Sequence, residues 1–263
     1  MYDSPVIVAS MFYKGDDLVL DAEKGNEDID EQKTIERLKK TEKYSETYNV
    51  PFVIDIEIPS TALAPKVIRT IAKNSEREFW ISSFNQEMRL AACKVAAEDG
   101  LTDRVYYSTL NYMSDDDEFR AVADLGLKPV IQVFNPDDPF PDGYLSKADE
   151  LLNMAEKTGI STDNIVLLST VLDFGTIPIA LLTISSLKET FGLPVCIPSV
   201  GPIYKWAKEY SKDERRFILS SMITYTLDAG ADLVHIGTMK RSFLSFPVVS
   251  LVDRLEKRKN QFL

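Results

Sequence analysis

The stretch "VIQVFNPDDP", residues 130–139, runs from a short apolar strand directly into a polar turn. Val130 and Val133 are β-branched residues that suit the interior of a strand. Asn135 and Asp137 follow among prolines that fix the backbone of a turn. Asn and Asp side chains bond their own backbone in such turns, and the same groups also contact ligands. The stretch therefore leaves two functions open for its polar end, turn formation and ligand binding.

The same arrangement of an apolar strand and a polar end recurs along the chain. Runs rich in β-branched and aromatic residues predict eight strands, at 6–10, 52–57, 78–83, 104–108, 129–134, 165–170, 193–198 and 232–237. Most of these runs alternate poorly between polar and apolar residues, as expected for strands that are covered on both faces. Longer amphipathic segments between them, such as "TALAPKVIRTIAKN" at 61–74, have helical periodicity.

Eight strands that alternate with about eight helices predict an α/β fold of the TIM (β/α)8 barrel type. We expect one domain over residues 1–263. An open doubly wound sheet is the alternative architecture. Its usual Gly-rich turn after the first strand is missing, because neither G-x-G-x-x-G nor G-x-x-x-x-G-K occurs in the sequence.

Composition excludes several classes of function. The net charge of −11, from 41 acidic and 30 basic residues, disfavours a nucleic-acid partner. No apolar run of about 18 residues predicts a membrane span, and the N-terminus lacks the features of a signal peptide. We expect Cys93 and Cys196 to be reduced thiols of a cytoplasmic protein. A single histidine and the absence of a C-x-x-C pair predict no metal site.

In a barrel of this type the functional residues lie at the carboxyl ends of the strands. The rule selects side chains that are polar but only modestly charged: Ser10, Asp55, Glu57, Ser82, Ser83, Ser108, Asn111, Asn135, Asp137, Ser169, Asp173, Ser199 and His235.

Three kinds of side chain in this set have both a functional and a structural interpretation. Asp55 lies among apolar neighbours, so it is either an acid that points into the barrel mouth or a partner in an internal salt bridge. Glu57 lies two residues further along the same strand, so we expect its side chain to face the same way. His235, the single histidine, is either an acid or ligand or a hydrogen-bonded structural residue. Asn111 and Asn135 either bind the donor and acceptor edge of a heterocycle or form turns.

Several segments, in this order and spacing, resemble the H subunit family of tetrahydromethanopterin S-methyltransferase. The resemblance covers about residues 4 to 254 and rests on "SPVIVASMFYKGDDLVLDAEKG" (4–25), "NVPFVIDI" (49–56), "LTDRVYYSTLN" (101–111), "FNPDDP" (134–139), "FGLPV" (191–195) and "SFPVVSLVD" (245–253).

The resemblance implies methyl transfer in one-carbon metabolism and methanogenesis. A corrinoid (cobalamin, as methylcobamide) on a separate protein would exchange the methyl group with N5 of a tetrahydropterin, either tetrahydrofolate or tetrahydromethanopterin. The pterin would enter the barrel mouth, the corrinoid protein would dock over it, and two copies would pair as a homodimer. On this basis we predict Asp55, Asn111 and Asn135 as catalytic residues. We also predict substrate contacts from Ser82, Ser83, Ser108, Gln132, Asp137, Ser169, Ser199 and His235.

The sequence also departs from the family pattern at three pterin contacts. An Asp after the third strand, an Asn in the fourth and an Asp in the sixth correspond here to Ser82, Ser108 and Leu168. Each lost hydrogen bond to a charged group would cost about 1.5–3 kcal/mol of binding. Two alternatives therefore stay open. One is a corrinoid-protein methyltransferase with another methyl donor, such as a methoxy compound or a methylated amine, and the other is a non-catalytic subunit that docks a corrinoid protein.

Overall fold

The structure is a computed structural model that describes residues 3–20, 28–259 and 261–262, so the end of the first family motif, 21–25, lies outside the described residues. Parallel strands form a closed barrel in which each strand pairs with the next and the first pairs with the last. The strands are β1 (Val6–Met11), β2 (Phe52–Glu57), β3 (Phe79–Ser82), β4 (Val105–Leu110), β5 (Lys128–Val133), β6 (Val166–Ser169), β7 (Val195–Ile197) and β8 (Leu233–Thr238). The predicted strands and the TIM-barrel class are confirmed.

Helices connect consecutive strands and surround the barrel. They are α1 (Glu31–Tyr48), α2 (Ala64–Asn74), α3 (Gln86–Glu98), α4 (Asp116–Asp124), α5 (Pro141–Lys157), α6 (Ile177–Phe191), α7 (Val200–Trp206), α8 (Lys212–Asp228) and α9 (Ser242–Lys259). The short α7 is an addition between β7 and α8. In the described part of the chain, no helix has the length and apolar character that crossing a membrane requires.

Local sequence explains where these helices begin and which face they bury. In α2, Pro65 lies in the first turn, where its missing N–H breaks no hydrogen bond, and Val67 and Ile71 lie on one buried face. In α8, the Ser211 hydroxyl accepts a hydrogen bond from the Glu214 N–H, while the Glu214 carboxylate accepts one from the Ser211 N–H.

The barrel interior is a separate apolar cluster from the core between strands and helices. It contains Val6, Val8, Val53, Trp80, Tyr106, Val130, Val166, Cys196 and Leu233. Side chains alternate between the two faces of a strand, so the residue two positions after each interior residue also points inward. On seven strands these next inward residues are Ser10, Asp55, Ser82, Ser108, Gln132, Leu168 and His235. The apolar interior therefore ends in a layer of mostly polar side chains at the barrel mouth.

The loop after β1 is anchored over this mouth by a buried ion pair. The Asp16 carboxylate accepts hydrogen bonds from the Phe12 N–H at 3.0 Å and from Arg37 Nη1 at 2.7 Å. Between them, the Tyr13 hydroxyl reaches β8 and donates to Thr238 Oγ1 at 3.1 Å. The loop thereby links β1 to the end of β8 above the polar layer.

Candidate active site

Asp55 is the centre of a hydrogen-bonded group at the carboxyl ends of β1, β2, β3 and β8, called here the acid cluster. Its other members are Ser10, Ser82 and His235. The Ser10 hydroxyl donates to Asp55 Oδ2 at 2.7 Å, and the Ser82 hydroxyl donates to Asp55 Oδ1. His235 Nε2 lies 3.1 Å from Asp55 Oδ2. Both carboxylate oxygens are thus engaged by residues from three other strands.

The backbone sets the tautomer of His235. The Gly237 N–H donates to His235 Nδ1 at 3.2 Å, so this ring nitrogen is an acceptor. The proton of the neutral ring then belongs on Nε2, which faces the carboxylate of Asp55. The structure therefore joins His235 to Asp55, whereas the sequence left both a structural and a chemical role open for it.

The acid cluster keeps Asp55 ionised. Burial of the Asp55 carboxyl raises its pKa, but hydrogen bonds from His235, Ser82 and Ser10 outweigh burial and hold the pKa below the usual value of 3.8. Asp55 is therefore a buried anion at neutral pH, held by donors that fix its orientation.

A cavity of about 540 Å³ opens beside the acid cluster, above the ends of β2 to β6. This volume is within the range of about 300–1,000 Å³ that small-molecule sites occupy. Its polar lining is mostly neutral and comprises Glu57, Ser82, Ser83, Gln86, Arg89, Ser108, Thr109, Asn111, Ser114, Glu118, Gln132 and Thr170. Its apolar lining comprises Phe84, Tyr112, Met113, Phe134 and Leu172.

Glu57 lies on β2 two residues beyond Asp55 and faces the cavity. Burial and the nearby charge of Asp55 raise the pKa of Glu57 above its usual value of 4.5, and a hydrogen bond from the Lys14 backbone N–H opposes the increase. Two carboxyls on one strand therefore have pKa values displaced in opposite directions, an arrangement that suits one for a fixed anion and the other for proton exchange.

The sequence did not indicate the charged wall of the cavity. Arg89 on α3 donates to Glu118 Oε1 on α4 at 2.8 Å and to the Tyr107 hydroxyl at 3.0 Å. The Tyr107 hydroxyl in turn donates to Glu118. All three side chains are buried. We call Arg89 and Glu118 the wall pair. Arg89 and Tyr107 both donate their hydrogen bonds to the same oxygen, Oε1, of Glu118.

The structure brings many of the predicted site residues together. The acid cluster and the cavity lining include Asp55, Ser82, Ser83, Ser108, Asn111, Gln132 and His235. Ser169 and Ser199 lie elsewhere, because they face the outer helices. The Ser169 hydroxyl donates to the Ala180 carbonyl at 3.1 Å, and that of Ser199 lies 2.7 Å from Thr226 Oγ1.

The two predicted catalytic asparagines both form turns, but only Asn111 lines the cavity. Asn111 Oδ1 accepts from the Met113 N–H at 2.9 Å, and its amide nitrogen makes no hydrogen bond within the described residues. Asn135 Oδ1 accepts from the Asp137 N–H at 3.0 Å, and Asp137 is exposed. Neither Asn135 nor Asp137 belongs to the cavity lining. The polar end of "VIQVFNPDDP" therefore forms the turn after β5, and a ligand contact from Asn135 or Asp137 stays a prediction.

The chain matches known proteins along nearly its whole length. A family model described as the tetrahydromethanopterin S-methyltransferase MtrH subunit matches residues 2–262. The H subunit of tetrahydromethanopterin S-methyltransferase from Methanothermobacter thermautotrophicus is 27% identical over 264 residues, which cover 94% of this chain and 84% of that protein. The corresponding H subunit from Methanopyrus kandleri is 24% identical over 280 residues, which cover 97% and 86%.

Solved structures with the same fold include dihydropteroate synthases. The enzyme from Clostridium difficile, determined in the presence of pteroic acid, has a TM-score of 0.71 at 14% identity and covers 97% of this chain and 99% of that chain. The enzyme from Yersinia pestis with a pterine-sulfa conjugate has a TM-score of 0.70 at 9% identity, covering 97% and 95%. At this identity the likeness shows the fold.

The family match confirms the resemblance that the sequence motifs indicated. It also confirms the methyltransferase function that the resemblance implied. This chain belongs to the family of the tetrahydromethanopterin S-methyltransferase MtrH subunit.

Proposed function

We propose that this protein transfers a methyl group between a corrinoid carried by a partner protein and N5 of a tetrahydropterin bound in the cavity. The observation that supports this most directly is Glu57, a carboxyl of raised pKa in a cavity whose other polar groups are mainly neutral. Glu118 forms a buried ion pair with Arg89, whereas Glu57 is a carboxyl of the same lining that has no ion pair within the described residues.

The lining suits a flat heterocycle. Gln132 and Ser108 offer neutral donors and acceptors to an aminopyrimidine edge, and Asn111 offers the free protons of its amide nitrogen. Phe134 and Tyr112, whose ring centres lie 6.0 Å apart, supply apolar surface in the same lining. These neutral contacts replace the carboxylates that the family pattern places elsewhere, and Glu57 supplies the one exchangeable carboxyl among the pterin contacts.

The corrinoid supplies the cobalt–carbon bond when the partner is docked. The residues of this chain align the substrate and handle its proton. N5 would bond to the methyl carbon while the bond from that carbon to its carrier breaks and leaves the electron pair on the carrier, and the ionised carboxylate of Glu57 would accept the proton that N5 then loses. In the opposite direction the protonated carboxyl returns this proton to N5 as the methyl group departs. Asp55 and His235 form the fixed polar floor of the site.

An apolar rim around the opening fits the docking of a corrinoid protein. Phe84 is fully exposed, Met113 is 76% exposed and Leu172 is more than half exposed, and all three line the cavity. Exposed apolar side chains gathered at one place mark interaction surfaces. A partner seated on this rim would close the cavity and exclude water from the transfer.

Isothermal titration with tetrahydrofolate and tetrahydromethanopterin tests the binding part of the proposal. We expect heat of binding with at least one of them. The absence of binding for both would eliminate transfer to a pterin and leave the other methyl donors and the non-catalytic docking role.

Stopped-flow loss of the methylcobalamin absorbance in the presence of the bound pterin tests the chemical part. We expect Glu57→Gln to slow the transfer by about a hundredfold, because general-base catalysis contributes about 10²–10⁴-fold. The wild-type rate should rise with pH as Glu57 ionises, and the variant should lose this dependence. Glu46→Gln, on the exposed surface of α1, is the matched control and should keep the wild-type rate. A Glu57→Gln variant with the wild-type rate and pH profile would remove Glu57 from the mechanism.

A further inference from the structure

Arg241 is a half-buried guanidinium just after β8 that has no acidic partner among the residues placed in the structure. Its Nη1 donates to the Ile236 carbonyl at 2.7 Å, and its Cζ lies 4.4 Å from the ring centre of Tyr204 on α7. No carboxylate in the described part of the chain forms an ion pair with it. Its neighbour Lys240, by contrast, pairs with both Asp16 and Asp17.

A second arginine meets the same tyrosine. Arg215, in the first turn of α8, has its Cζ 5.8 Å from the Tyr204 ring centre, and it too lacks an ion pair among the residues that the structure describes. In a chain with 41 acidic and 30 basic residues, two guanidinium groups meet on the Tyr204 ring, and neither forms an ion pair within the described residues. A site of this composition attracts an anion from outside the chain.

The position of Arg241 connects this excess charge to the barrel mouth. A Cβ built on Gly237 would lie 2.5 Å from Arg241 Nη1, so the guanidinium rests directly against this glycine. The N–H of the same glycine donates to His235 in the acid cluster. Burial lowers the pKa of Arg241, which means that its charge is poorly compensated in the folded chain. The guanidinium of Arg241 therefore lies one residue away from the acid cluster, on the β8 side of the barrel mouth.

We propose that Arg241 and Arg215, together with Tyr204, form an oxyanion subsite that binds the acidic tail of the tetrahydropterin. The inference rests on the proposed function, because the ring of the same molecule would occupy the cavity above β2 to β6. A guanidinium presents N–H groups in a planar fork that matches a carboxylate or a phosphate in two parallel hydrogen bonds. Carboxylates and phosphates are therefore both suitable tail groups, and the subsite would select reduced pterins that have such a tail.

Binding measured by isothermal titration without a corrinoid partner tests the subsite. The probes are tetrahydrofolate, which has a glutamate tail, and 6-methyltetrahydropterin, which has none. We expect wild type to bind tetrahydrofolate at least about tenfold more tightly, the gain expected of a charged hydrogen bond. Arg241→Gln should abolish this difference by weakening tetrahydrofolate alone. Arg254→Gln removes one charge from an exposed position on α9 and should leave both dissociation constants unchanged.

Each outcome has one meaning. Equal binding of both probes by wild type, or an Arg241→Gln variant that keeps the preference for the tail, overturns the subsite and leaves the proposed function standing. Failure of wild type to bind either probe or tetrahydromethanopterin overturns the proposed function itself. If Arg241→Gln does not fold, Arg215→Gln decides in the same way, because the Arg215 side chain makes no hydrogen bond or ion pair within the described structure. Tetrahydromethanopterin, whose tail also bears a phosphate, separates the two anions, since a greater loss for it than for tetrahydrofolate assigns the phosphate.

Discussion

Asp55 and Glu118 are both buried carboxylates beside the same cavity, yet their partners differ in kind. Glu118 is held by a guanidinium and a phenol, whereas Asp55 is held by two hydroxyls and an imidazole. An arginine is charged at every accessible pH and has no acceptor, so it forms a fixed ion pair. Hydroxyls rotate and an imidazole exchanges protons, so the acid cluster can adapt when a ligand arrives.

The location of the two groups agrees with this difference. Glu118 and Arg89 lie in the first turns of α4 and α3 and tie these helices together, and Arg89 also donates to the Ser83 carbonyl just after β3. Asp55 lies on the inward face of β2, where four strands end. A buried carboxylate therefore does not mark a catalytic site by itself, and the chemistry of its partners has to be read with it. We expect the wall pair to be structural and the acid cluster to be functional.

The largest expected effect is the loss of folding stability when the wall pair is broken. Arg89→Met leaves Glu118 buried without its counter-charge, which should lower the free energy of unfolding by about 3–5 kcal/mol. Urea denaturation followed by circular dichroism measures this change. If the wall pair also orients the substrate, the dissociation constant of the pterin will change as well.

Two further variants test the cause of that loss. Arg120→Met, which breaks an exposed pair with Asp116 and Asp117, should change stability by at most about 1 kcal/mol. The double variant Arg89→Met/Glu118→Leu should recover most of the loss, because it removes both buried charges. A single Arg89→Met variant as stable as Arg120→Met would contradict the structural role of the pair.

Asp55→Asn should have an intermediate effect on stability and a greater one on methyl transfer. The amide keeps the size of the carboxylate but offers one acceptor oxygen to three donors, so the unfolding free energy should fall by about 1–3 kcal/mol. Methyl transfer should be lost under conditions where the variant is still folded. A variant that is unfolded at neutral pH would instead show that Asp55 is mainly structural.

The difference in unfolding free energy between wild type and Asp55→Asn should depend on pH in a defined direction. The pKa of Asp55 is lowered in the folded state, so its contribution is present above the unfolded value of 3.8 and is lost as the pH falls through the folded pKa. The difference between wild type and Asp55→Asn should therefore shrink on acidification. The contribution of Glu57 to folding stability depends on pH in the opposite direction. Because the pKa of Glu57 is raised in the folded state, stability is lost as the pH rises through that folded pKa. The free energy of unfolding of Glu57→Gln should therefore increase relative to wild type at neutral pH.

Strand periodicity predicted much of the candidate site from the sequence. The interior residues Val53, Trp80 and Tyr106 lie two positions before Asp55, Ser82 and Ser108, and this spacing fixes which polar side chains enter the mouth. The same spacing indicates that Ser169 does not point into the barrel mouth. Leu168 points into the barrel, so the next residue must face the helices, and the structure places it there.

Other features could not be predicted because they depend on how helices pack. Arg89 and Glu118 lie in predicted helical segments whose charges are typical of a solvent-facing surface, and only their tertiary neighbours show that they are buried together. Arg241 and Arg215 are far apart in sequence and meet only through Tyr204. Sequence patterns specify the faces of single elements, whereas contacts between loops and helix ends require the assembled fold.

The two asparagines give the smallest expected effect and the sharpest contrast within the mouth. Both Asn111 and Asn135 stabilise turns through Oδ1, but Asn111 also presents its amide nitrogen to the cavity. Asn111→Ala should raise the dissociation constant of the pterin about tenfold, the loss expected for one buried polar contact. Asn135→Ala is the matched variant, since it removes the same turn bond outside the cavity lining, and it should change the constant much less. Isothermal titration of both variants measures the two dissociation constants. Equal losses of pterin affinity would show that Asn135 also contacts the ligand, as the sequence predicted.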